Sequence, residues 1–235
     1  MTQETENISI LDLTQKKLTN PTLSFDVWEK LSPEMQLYSY GREKVIFPDS
    51  PEKLAIQEKL TAFITKATES GLIQKVASRY SPKSGTVDLI ALADMRVDGP
   101  GHSRKYGWKI LLDTPHAIIL KDKSCPYNPL AVVGLKITVN EITIGQIQGI
   151  KKADNELRQV GRWEKILVGL TEEAAKEMII PRVRIITAKD NGWIYYNIVN
   201  GFMDENSAKL RYDITAKRMG YKWDGIHSWV KELNN

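Results

Sequence analysis

Residues 141–150, EITIGQIQGI, and residues 183–187, VRIIT, decide the fold. Both are short runs rich in β-branched residues, which is the texture of strands. Between them Trp163, Ile166, Leu167, Leu170, Ala174 and Met178 recur three or four apart. That spacing predicts one apolar stripe along a helix. Strand, helix and strand in this order make a crossover unit, so the two strands are predicted to lie parallel in one sheet.

Working outward, VDLIALA (87–93), YGWKILL (106–112), HAIILK (116–121) and LAVVGLKITV (130–139) read as further strands. The turn signals between them are Asp98-Gly99-Pro100-Gly101, CPYNP (125–129) and Asn140-Glu141, connections that suit antiparallel neighbours. At the far end Tyr221, Trp223, Trp229 and Val230 flank Asp224-Gly225, which predicts a closing hairpin. The fold class expected is therefore α/β, with a mixed, mostly antiparallel central sheet and flanking helices.

The first strong helix is predicted after Asp49-Ser50-Pro51, with Leu54, Ile56, Leu60, Phe63, Ile64 and Ala67 on its buried face. Ser70-Gly71 breaks it, and a second helical stretch runs from Leu72 to Arg79. Residues 1–22 lack sustained periodicity and read as a loosely held arm. The division expected is that arm, an N-terminal helical segment over 23–84 packed on the main domain, and an α/β domain over 85–235.

Hydrophobic residues form 42% of the 235-residue chain and charged residues 26%, which excludes disorder of the whole. A polar, acidic N-terminus is unlike a secretory signal, and no apolar run approaches a membrane-spanning length. Cys125 is the lone cysteine, so no internal disulfide forms. A cytoplasmic protein with no membrane partner is the expectation. His102, His116 and His227 have no metal-ligand spacing, and no metal is expected.

The order of elements resembles that of GNAT-type N-acetyltransferases over roughly residues 130–233. Arg158-Gln159-Val160-Gly161-Arg162-Trp163 is similar to the family's Arg/Gln-x-x-Gly-x-Gly/Ala run, which opens a helix. ITAKDN (186–191) resembles the strand end where the family carries an asparagine, here Asn191. ITAKRMGYK (214–222) resembles the helix that ends in Gly-aromatic. The resemblance implies a GNAT-like acyl-CoA N-acyltransferase fold. It further implies that acetyl-CoA or another acyl-CoA is bound by Ile147, Gln148, Arg158, Gln159, Val160, Gly161, Arg162, Trp163 and Asn191, and that the acyl group passes to an amine. The physical basis is a helix N-terminus whose free amides and dipole hold a diphosphate.

The chain departs from the family in three places. Trp163 stands where the family has a small residue, Ala216 where it has a tyrosine acid, and glutamines where it has a glutamate base on the strand. By strand alternation Ile142, Ile144, Gln146 and Gln148 are expected on one face. Tyr212 and Glu141 are the candidate replacements for acid and base, beside plainer readings as a packing aromatic and an exposed turn residue. Gly161 likewise reads either as part of a phosphate cradle or as a simple turn.

The acceptor amine is not indicated. A catalytically silent protein of the same fold that contacts protein or nucleic acid is the alternative. Lys151, Lys152, Arg158 and Arg162 make one loop basic, offset in part by Asp154 and Glu156. Residues 189–206 form a long aromatic loop in which Trp193, Tyr195, Tyr196 and Phe202 suit an acceptor pocket, base stacking or a homodimer contact. The other reading of that stretch is an extra strand through IYYNIV.

Overall fold

Proline at a helix's first position forfeits no hydrogen bond, and helix α1 (Pro51–Glu69) starts on Pro51. The computed structural model describes residues 51–81, 88–95, 114–124, 129–150, 153–191, 194, 198–201 and 203–233. All of them fall in the second of two units into which the chain divides, 46–235. The Asp49-Ser50 cap, the YGWKILL run and the turns at 98–101 and 125–128 lie outside the described residues.

Helix α1 buries Leu60, Phe63, Ile64 and Ala67. Leu54, expected on that face, is 42% exposed, because full burial along α1 begins only at Leu60. Gly71, at φ 71°, turns the chain into α2 (Leu72–Tyr80). Among the described residues seven strands follow: β1 (Leu89–Met95), β2 (His116–Asp122), β3 (Pro129–Ile137), β4 (Ile142–Gly149), β5 (Arg182–Ile186), β6 (Lys222–Trp223) and β7 (Ser228–Glu232). They form one sheet in the order β1-β2-β3-β4-β5-β7-β6. Every neighbouring pair is antiparallel except β4 with β5, which run parallel as the crossover pattern predicts. The mixed, mostly antiparallel sheet is thus established.

Between β4 and β5 lie α3 (Asp154–Val160) and α4 (Trp163–Glu177). Helix α4 turns Ile166, Leu167, Leu170 and Ala174 into the core, as the stripe requires. It crosses α2 at Gly169, where an added Cβ would lie 2.6 Å from Cε2 of Tyr80, so only glycine admits this approach. Helix α1, helix α2 and helix α4 pack on one another and share one core with the sheet.

After β5 the chain forms α5 (Glu205–Lys209), a π-helical turn (Leu210–Ile214) and α6 (Thr215–Arg218). Asp204 caps α5 by accepting from the Ser207 amide at 2.9 Å. Among the described residues of 189–206 no strand occurs, and Ile194, Ile198 and Val199 are helical instead. Trp193, Tyr195, Tyr196 and Phe202 lie outside the described residues.

The closing hairpin is locked by Asp224. Its carboxylate accepts from the Ile226, His227 and Ser228 amides and from the Ser228 hydroxyl, and it pairs with Arg184 at 2.7 Å. The Ser228 hydroxyl first, and then the amides, hold its pKa below the usual carboxylate range. No helix among the described residues is long and apolar enough to cross a membrane.

Candidate functional site

Strand β4 stays beside β5 for only three residue pairs, Ile142↔Val183, Thr143↔Arg184 and Ile144↔Ile185. The next residue, Gly145, is also skipped by β3, since Leu135 faces Ile144 and Gly134 faces Gln146. One extra residue on one strand is a β-bulge, which bends the strand and reverses the side-chain phase beyond it. The expectation that Ile142, Ile144, Gln146 and Gln148 share a face is therefore corrected. The isoleucines face the helices, whereas Gln146 and Gln148 turn to the opposite side with Gly134 and Val132. Gln146 Nε2 there donates to Gln148 Oε1 at 2.9 Å.

Where β4 leaves β5, two side chains replace the missing strand partner. Asn191 Nδ2 donates to the Gly145 carbonyl, and the Ile147 amide donates to the Tyr212 hydroxyl at 2.8 Å. Asn191 is itself anchored, because its Oδ1 accepts from the Ile194 amide at 3.1 Å. Two residues that the sequence singled out, 21 positions apart, thus converge on the same short stretch of β4, together with Ile147 from the candidate set.

Tyr212 reaches β4 because of the π-helical turn that contains it. Such turns insert a residue into a helix and re-aim side chains, often at functional sites. Tyr212 is 1% exposed, and Ala216 is buried one turn further on. Its neighbour Asp213 accepts from Trp229 Nε1 at 2.8 Å, which ties the same turn to β7.

The run Arg158–Trp163 is placed differently from the expectation of a loop. Arg158, Gln159 and Val160 form the last turn of α3, whose start absorbs part of the polar stretch after β4. Gly161, at φ 59°, ends α3 by donating its amide to Leu157, and Arg162, at φ 31°, adopts a left-handed conformation before α4. A Cβ at Gly161 would lie 3.0 Å from Ser81 Oγ. The Trp163 indole folds back onto the end of β4, where Cζ2 would be 2.9 Å from a Cβ at Gly149. Arg211 lies over the same ring at 5.9 Å.

Cations gather at this helix start. Burial lowers the pKa of Lys165, and the positive charges of Arg162 and Arg218 lower it further. Burial raises the Glu164 carboxyl, opposed by its own backbone amide and by Arg211. Lys165, Arg211 and Arg218 escape a motif reading because they lie outside the six-residue run, two of them on the helix beyond β5. The arrangement can hold an anion through Coulomb attraction and amide donors.

Glu141 is not brought to this stretch of β4. It sits just before β4, away from the bulge, where its carboxylate accepts from Arg184 Nε at 2.9 Å and from Thr143 Oγ1 at 3.0 Å. Among the described residues no group of three or more His, Cys, Asp or Glu side chains is placed to hold a metal ion.

No model of a known protein family matches the chain, and no curated protein matches it. Among solved structures, the chain is similar to N-acetylglutamate synthase from Neisseria gonorrhoeae in complex with coenzyme A and N-acetyl-glutamate, at TM-score 0.29 and 13% identity. The similarity covers 80% of this chain and 33% of that protein, so the chain spans about a third of its length.

Proposed function

We propose that this chain binds an acyl-coenzyme A in the cleft where β4 parts from β5 and transfers the acyl group to an amine. The observation that carries this reading is the Tyr212 hydroxyl held 2.8 Å from the Ile147 amide, immediately beyond the bulge. A backbone amide that can turn to a thioester carbonyl polarises it, and an adjacent phenol can protonate the departing thiolate. Ile147 and Gln148 supply strand backbone to the thioester arm. Arg158, Gly161, Arg162 and the Trp163 amide are the groups assigned to the diphosphate, with Lys165 and Arg218 adding charge. Coenzyme A, when bound, supplies the activated acyl group; the chain's own work is binding, orientation and proton delivery.

Thermal unfolding with and without acetyl-coenzyme A tests binding. A ligand at about 100 times its Kd stabilises the native state by roughly 2.7 kcal/mol, which raises Tm by roughly 5–10 °C for a chain of this size. An unchanged Tm at millimolar ligand rejects the proposal. Tyr212→Phe is expected to retain the shift while transfer falls, because the phenol acts on the leaving group.

A second reading, a silent binder of the same fold, is favoured by two observations. Trp163 packs on Gly149, and the Ile147 amide already has a partner, so a ligand must displace Tyr212 before it can use that amide. A full thermal shift without thiol release from acetyl-coenzyme A, across a panel of primary amines, selects this reading.

A further inference from the structure

We infer that His227, oriented by Asp190, is the general base that takes the proton from the acceptor amine. This inference rests on the acyl-transfer reading. Position 146 carries a glutamine, whose amide cannot accept that proton, and Glu141 is engaged by Arg184 away from the cleft.

His227 lies in the β6–β7 turn, and its Nδ1 is 3.0 Å from Asp190 Oδ1. A carboxylate only accepts, so Nδ1 carries the hydrogen and Nε2 keeps a free lone pair. The side chain is 70% exposed, which leaves Nε2 open to an incoming molecule. A histidine whose outer nitrogen is free and whose inner nitrogen is fixed by a carboxylate is the arrangement that general bases use.

Both partners are held rigidly. Asp190 accepts from the Thr187 hydroxyl through Oδ2, and its own amide donates to Thr187 Oγ1 at 3.1 Å. The His227 amide is fixed by Asp224, and its carbonyl accepts from the Thr187 amide at 3.2 Å. Among the described residues, the charged groups bonded to His227 are Asp190 from the turn after β5 and Asp224 on its own hairpin, with Arg184 of β5 paired to Asp224.

The pair is also tied to the bulged stretch of β4. Asp190 precedes Asn191, whose amide donates to the Thr187 carbonyl at 3.1 Å and whose side chain reaches Gly145 at the bulge. The turn that aims the imidazole is thus the turn that closes the gap between β4 and β5.

In the step inferred, the amine nitrogen bonds to the thioester carbonyl carbon and the C–S bond breaks. The thiolate takes the Tyr212 proton, and a proton of the attacking nitrogen passes to His227 Nε2. Water then restores both side chains. Products are an amide and the free thiol of coenzyme A.

The test compares two acceptors with acetyl-coenzyme A on the full chain. One is a panel of primary alkylamines, which are protonated at neutral pH and need a base. The other is hydroxylamine, which is neutral there, so it needs no deprotonation before attack, and whose adduct nitrogen is acidic enough to give its proton to water. His227→Gln is expected to lose about 10²-fold or more of alkylamine transfer, the usual scale for a general base. It should keep hydroxylamine transfer and the full thermal shift with acetyl-coenzyme A. Asp190→Asn should lower alkylamine transfer in the same selective way. Equal loss on both acceptors, or alkylamine transfer unchanged in His227→Gln, overturns the assignment while leaving acyl-coenzyme A binding standing. Failure of the unaltered chain to bind acetyl-coenzyme A overturns both, and the thermal shift reports that separately.

Discussion

Single residues carry several of the energetic decisions. Ile179 sits at φ 57° just past Met178, the residue that caps α4, donating its amide to the Lys176 carbonyl while the Ile180 amide bonds to Ala175. This is the left-handed helix end that usually takes glycine, and a β-branched residue there is strained. Ile179 is also 74% exposed, so it loses little packing if removed. Ile179→Gly is expected to raise stability by about 0.5–1 kcal/mol, read by urea unfolding. Tyr212 gives the opposite sign. Removing its hydroxyl leaves the buried Ile147 amide without an acceptor, and Tyr212→Phe should cost about 1–3 kcal/mol in the same measurement.

His116 makes stability depend on pH. It is 1% exposed, its Nδ1 lies 3.0 Å from Gln57 Oε1, and burial, then the charge of Lys53, pushes its pKa down to about 4. The unfolded chain binds a proton near the ordinary value of about 6.5, whereas the folded chain resists until about 4. The contribution is therefore present above pH 6.5 and lost as pH falls through that window, to a total of about 3 kcal/mol. His116→Gln should flatten this limb when unfolding free energies at pH 7 and pH 4.5 are compared. Little of this was legible in sequence, where His116 was one of three scattered histidines.

At the scale of elements, close approaches and irregularities decide what the helices and strands can do. Gly169 lets α2 and α4 cross with the Tyr80 ring against the α4 backbone. Gly169→Ala drives a methyl into that ring, and the expected loss is about 1–3 kcal/mol in thermal or chemical unfolding. The bulge at Gly145 and the π-helical turn at 210–214 work together. One bends β4 away from β5, and the other brings Tyr212 into the gap. Helix existence and strand pairing followed from periodicity in EITIGQIQGI, VRIIT and the Trp163 stripe. Neither irregularity has a periodic signature, so the side on which Gln146 lies and the turn on which the phenol sits were not legible.

Across the whole molecule, α4 and β7 are pinned by an ion pair whose carboxylate is buried. Lys231 Nζ lies 2.9 Å from both Glu172 oxygens and 3.0 Å from the Met219 carbonyl, while Glu172 is 5% exposed. Removing one partner strands a buried charge. Lys231→Met is expected to cost about 3 kcal/mol, and adding Glu172→Leu should recover much of it, a double-mutant cycle that calorimetry can complete. The Tyr221 hydroxyl lies in the core near Glu172, and among the described residues no group meets it in full hydrogen-bond geometry. Burial, and then the charge of Glu172, raise its pKa well above the usual value, so it stays a neutral phenol.

The linear chain by itself determined the mixed sheet, its parallel β4–β5 pair, the closing hairpin and the helix that opens near Gly161. Each is written in local periodicity or turn chemistry, which a sequence displays residue by residue. Only the tertiary structure decided the site: that Asn191 and Tyr212 meet at the bulge, that Trp163 turns onto Gly149, and that Glu141 is held by Arg184. Those meetings join residues tens of positions apart through hydrogen bonds and packing. Their geometry depends on how the strands bend and how the last helix is wound, which no local pattern encodes.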